Sequence, residues 1–80
     1  MSTLDDAIQK DVKFLMDYHS PRIYPVMAWF VAVNHDSVRL YDPIGRLAFD
    51  ATEGEPMKYP HCQQEIANLF LAEAVKKASS

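Results

Sequence analysis

Cys62 is the residue of this 80-residue chain whose type could carry covalent chemistry. It stands near the expected start of a second helix, where free N–H groups and the macrodipole lower a thiol pKa and favour thiolate. A cysteine nucleophile also needs a base and an orienting group. His35 or the adjacent His61 could supply the imidazole, and Asp36 or Asp42 the carboxylate. The spacing specifies none of these pairings. Cys62 also precedes Ile66 by four residues on an apolar stripe, a position that suits a small buried hydrophobe. Pocket-forming enzymes usually need a larger scaffold, so no catalytic residue is assigned and no small-molecule substrate is expected.

His19, His35, His61 and Cys62 together offer imidazole and thiolate ligands suited to zinc. No C-x-x-C or H-x-x-x-H pair is present, and neighbours on a helix such as His61 and Cys62 point about 100° apart. No metal and no cofactor are therefore expected. Gly45 lies in Asp42-Pro43-Ile44-Gly45-Arg46 without a Gly-rich pattern or a P-loop lysine, so turn chemistry accounts for it. Glu53 and Glu55 fall in a loop that would not hold them at acid/base separation.

Eight Lys and Arg against eleven Asp and Glu give a net charge of −3, with no basic stripe of the kind that phosphate binding demands. The order helix, three strands, helix resembles that of double-stranded RNA-binding domains, but only the order matches. Those domains place lysines at the start of the second helix, where this chain reads Pro60-His61-Cys62-Gln63-Gln64-Glu65. Arg39, Tyr41 and Trp29 could serve a sheet-face mode of nucleic-acid binding by stacking and charge, although exposed Arg and Tyr are ordinary on a strand. Nucleic acid is the alternative reading rather than the leading one.

The elements that must position these residues follow from periodicity. A length of 80 residues fits a single domain spanning 1–80, and 49% hydrophobic residues exclude the disordered class. Ser2 or Thr3 can cap a first helix over residues 3–18, with Asp5 and Asp6 at its positive end. Leu4, Ile8, Val12 and Leu15 form its apolar stripe, Phe14 and Tyr18 lie off the stripe, and Pro21 ends it. Residues 26–33, Val-Met-Ala-Trp-Phe-Val-Ala-Val, are all apolar and read as one strand covered on both faces.

Asn34 to Ser37 form a turn, residues 38–41 alternate as a second strand, and Asp42-Pro43-Ile44-Gly45 has the signature of a type I turn. Residues 46–50 make a third, short strand, and residues 51–59 a surface loop. Pro60 suits the first turn of a second helix over residues 60–77, whose stripe is Ile66, Leu69, Phe70 and Ala74, widened by Leu71 and Val75. The expected fold is α+β: helix, three-stranded antiparallel meander, helix, with both helices on one face of the sheet.

That arrangement leaves the doubly apolar run 26–33 with one uncovered face, either Met27, Trp29, Val31 and Val33 or the alternate set. A contiguous patch centred on a Trp marks an interface. The expected interface comprises Met27, Trp29, Val31, Arg39 and Tyr41. The function expected is that of a small non-catalytic regulatory or inhibitor-type protein, bound to another protein, to itself as a homodimer, or both. A small cysteine-dependent enzyme stands as a second alternative. The lone cysteine, the absence of a basic start with an apolar run, and apolar stretches far below the ~20 residues of a span point to a soluble cytoplasmic protein without membrane contact.

Overall fold

The computed structural model describes residues 6–17, 21–52, 54 and 56–80. The capping residues Ser2 and Thr3, together with Leu4, Asp5, Tyr18, His19, Glu53 and Glu55, lie outside the described residues.

Two helices, α1 (Asp6–Met16) and α2 (Gln64–Ser79), bracket five strands: β1 (Arg22–Val26), β2 (Trp29–Val33), β3 (Val38–Tyr41), β4 (Leu47–Asp50) and β5 (Met57–Lys58). The strands form one antiparallel meander in the order of the sequence. The α+β class and the helix-flanked meander match expectation, but the sheet has five strands instead of three.

The apolar run 26–33 is not one strand. Val26 pairs with Trp29 across the two-residue turn Met27-Ala28, so the run folds back on itself as the tip of the β1–β2 hairpin. The first turn residue, Met27, adopts a φ of 56°, the positive value that the first central position of a type II′ turn demands. Neither turn residue is a Gly, Asn or Asp, so the reversal carries no composition signal. What drives it is burial. With the turn placed there, Tyr24 and Val26 of β1 and Val31 and Val33 of β2 all point to the same side and are buried.

Pro25 sits on β1, an edge strand, where proline is tolerated. In a two-residue hairpin the residues flanking the turn form a hydrogen-bonded pair, so Val26 and Tyr24 bond to β2 while Pro25 and Ile23 direct their backbone outward. Pro25 therefore leaves the ladder intact and removes a donor from the open edge. At the opposite edge, β5 spans only two residues.

Between β3 and β4, the turn foreseen at Asp42-Pro43-Ile44-Gly45 is present: Gly45 N–H donates to the Asp42 carbonyl at 3.0 Å and Gly45 takes a φ of 88°. Leu40 pairs with Phe49 and Tyr41 with Leu47, which leaves Ala48 as the extra residue of a bulge. Ala48 and Phe49 are both fully buried in consequence.

Both helices cover the face of the sheet that carries Val31, Val33, Val38, Leu40 and Phe49. α1 contributes Ile8, Val12 and Leu15. α2 contributes Ala67, Phe70, Leu71 and Ala74, the i, i+3, i+4, i+7 set of one helix face. Leu69, read from the sequence as part of that stripe, is 47% exposed on the other side. The helix also begins four residues later than expected. Cys62 N–H donates to the Tyr59 carbonyl, so Pro60 occupies the second position of a tight turn, and Gln63 is extended with ψ 153°.

Candidate protein-docking face

Among the described residues, one face of the sheet has no helix over it, and strand register decides which residues it presents. Cross-strand partners share a face, so the uncovered side carries two rows. One row runs Pro25, Phe30, Tyr41, Leu47 across β1 to β4. The other runs Ile23, Ala32, Arg39, Asp50, Met57 across all five strands. The first row is apolar or aromatic throughout, with Phe30 directly opposite Tyr41. The second is apolar at both ends and charged in the middle. Ile23 is 67% exposed, Met57 54% and Phe30 43%, which leaves large apolar surface in water.

The charges at the centre form a cross-strand pair. Arg39 Nε lies 3.4 Å from Asp50 Oδ2, and Asp50 Oδ1 also accepts from the Thr52 hydroxyl. The Arg39 Nε atom is enclosed yet makes no hydrogen bond within the described residues.

The residues expected at an interface divide between the two sides. Arg39 and Tyr41 belong to the open face. Val31 is fully buried against the helices and presents nothing to a partner. Trp29 also points to the helix side, where its ring lies 4.9 Å from that of Phe70, tilted by 38°. Met27 projects from the hairpin tip, 74% exposed. Ile23, Leu47 and Met57 belong to the open face and escaped the sequence reading, and Phe30 belongs there too as part of the alternate set rather than the one chosen for the interface. The register set by the Asn34–Ser37 turn, which pairs Phe30 with Tyr41 and Ala32 with Arg39, would have selected that set.

Elsewhere, polar residues meet around Asp42, which is almost fully buried. Its Oδ1 accepts from the backbone N–H groups of Ile44 and Arg46 at 3.1 and 2.8 Å, and its Oδ2 accepts from Arg46 Nε at 2.7 Å. Burial pushes the carboxyl pKa up, but the Arg46 N–H and guanidinium and the Ile44 N–H outweigh it and hold the pKa below its ordinary value. His61 Nε2 stands 3.6 Å from the same Oδ2 without a hydrogen bond. The chain thus brings together His61 and Asp42, two of the residues weighed for catalysis.

The third does not join them. Cys62 is buried, with its Sγ directed at the Gln63 carbonyl 3.6 Å away, and burial pushes its thiol pKa up, away from the thiolate a nucleophile needs. His35 and Asp36 are exposed on the turn after β2. Among the described residues no three His, Cys, Asp or Glu side chains gather as a metal site, and no helix is long and apolar enough to cross a membrane. Asp42 is fully explained as the lock of its own turn.

The fold and the site define an α+β two-layer protein with one covered and one open sheet face. Comparisons with protein-family models, with characterised proteins and with solved structures return no match.

Proposed function

We propose that this is a non-catalytic regulatory or inhibitor-type protein that works by docking the open face of its sheet onto another protein molecule. The observation that carries the reading is the continuous row Pro25, Phe30, Tyr41, Leu47, flanked by Ile23 and Met57, on a surface no element of the described chain covers. Apolar side chains scattered singly need no partner, but a contiguous apolar and aromatic row does. Its composition also fits: aromatic residues, Met and Arg are enriched at interface cores, and this face combines Phe30, Tyr41, Met57 and Arg39.

Edge-on strand addition is the competing route for a sheet, and both edges resist it. Pro25 takes a donor from one, and the other offers only two residues. A photo-crosslinking amino acid placed at Phe30, with a control at the exposed Lys10 of α1, tests the proposal in the expressing cell. Protein adducts formed from position 30 and not from position 10 are expected. Equal adduct patterns at the two positions would refute it, as would salt-sensitive retention of the protein on nucleic acid.

A further inference from the structure

We infer that the occupant of the open face is a second copy of this chain, related by a two-fold axis that runs along the strands between β3 and β4. The inference rests on the docking reading above and names its partner. Its basis is the charge pattern of the face. Arg39 and Asp50 occupy adjacent strands in the same row, one cation beside one anion at the middle of an otherwise apolar surface. Closed homodimers use the same patch on both subunits, so a patch must complement its own rotated image.

Rotation about an axis between β3 and β4 exchanges the positions of these two strands. Arg39 of each copy then faces Asp50 of the other, and Tyr41 of each faces Leu47 of the other. Ala32, together with its neighbour Phe30, comes over Met57. Over the four strands β2 to β5 apolar side chains thus meet apolar ones and each charge meets its opposite, while Ile23 and Pro25 of β1 lie past the partner's edge. The Arg39 side chain keeps 40% of its surface exposed in the single chain, so its guanidinium can meet the partner's Asp50 while Nε stays beside the Asp50 of its own chain. A foreign partner would have to supply this mirrored pattern of charges, whereas a second copy carries it already.

The dimensions agree. The molecule is a flat disc of 30 × 29 × 17 Å. Its broad side is on the order of 700 Å², and the four overlapping strands cover about four-fifths of it, on the order of 550 Å² per partner, enough to clear the ~1,000 Å² total that a specific interface needs.

The test uses two charge reversals, Arg39→Glu and Asp50→Lys, followed by sedimentation equilibrium across concentrations. The wild-type chain should sediment as a dimer. Each variant alone brings like charges together twice across the interface, and its dimer should weaken by at least about tenfold. Mixed in equal amounts, the two variants should associate again, because every interfacial pair in the mixed dimer is of opposite sign. Within each variant chain the pair at positions 39 and 50 remains like-charged, so recovery on mixing cannot come from repaired folding. Phe30→Lys should abolish the dimer, with far-UV circular dichroism confirming that it folds.

A wild-type chain that sediments as a monomer at all concentrations would overturn the inference, as would variants that still dimerise or a mixture that stays monomeric. If the wild-type chain is a monomer while position 30 crosslinks to a different protein, the second copy is refuted and the docking reading stands. If position 30 yields no specific adduct of any kind, both fall.

Discussion

Trp29 and Phe30 are neighbours in sequence and aromatic, yet their truncation should have unequal effects. Trp29 points to the helices, is half-buried and stacks on Phe70, itself almost fully buried. Truncating a fully buried large aromatic costs about 3–5 kcal/mol, and half-burial scales that to about 2 kcal/mol. The lost ring contact adds about 0.5–1 kcal/mol. Trp29→Ala should therefore destabilise the chain by about 2–3 kcal/mol. For a domain of this size each kcal/mol moves Tm by about 4–8 °C, so a fall of about 10–20 °C is expected.

Phe30 is 43% exposed in the single chain and its truncation leaves no internal cavity, so Phe30→Ala should cost only the transfer of its covered part, about 1–1.5 kcal/mol, a shift of about 4–12 °C. Thermal melts by far-UV circular dichroism make the comparison, because Trp29 is the sole tryptophan and its removal abolishes the fluorescence signal. Melts in dilute solution keep any loss of dimer from adding to the Phe30→Ala value. Equal losses, or a larger one for Phe30→Ala, would refute the register on which both rows of the open face depend.

Met27→Gly should stabilise the chain by about 0.5–1 kcal/mol, visible as a higher urea midpoint, because glycine takes the positive φ of this exposed turn position without strain. The Asp42 carboxyl has a folded-state pKa below its ordinary value, so its contribution is present above the unfolded pKa and disappears as pH falls through the folded one. Asp42→Asn should accordingly be less stable than wild type at neutral pH, with the gap in urea midpoint narrowing below about pH 4. The buried Cys62 thiol, its pKa raised, should react with a disulfide reagent at neutral pH far more slowly than a free model thiol. Labelling in urea should be fast, and fast labelling of the native chain would reopen the cysteine-enzyme alternative.

The helices and the inner strands were legible because their signals are local. Ile8, Val12 and Leu15 recur at helical spacing, Val38 and Leu40 alternate, and Asp42, Pro43 and Gly45 spell their turn. The two edge strands were not. Met57–Lys58 is too short to show alternation, and it pairs only because the bulge at Ala48 and the loop after Asp50 return the chain beside β4. The hairpin tip hid for the opposite reason. Residues 26–33 are uniformly apolar, so nothing in their types separates a strand from a turn, and a methionine took a conformation usually left to glycine.

The open face was anticipated as a surplus of apolar sides, and its residues were partly misassigned because alternation alone does not say which parity the helices cover; pairing with Arg39 and Tyr41 decides it. With that pairing in place, odd positions of β2 go to the helices and even positions go to water. Trp29 and Val31 thereby leave the face, and Phe30 enters it. Arg39 and Tyr41 kept their place because β3 alternates visibly.

The proline of β1 has a bearing on how far assembly can go. A sheet that recruits neighbours along its margins grows without limit, as fibrils do. Here one margin lacks a donor and the other is barely two residues long, while one broad side is already roofed by helices. Among the described residues one broad apolar face remains, and if two copies meet through it, as proposed above, none is left for a third. Such a chain can stay at high concentration as finite pairs instead of polymerising.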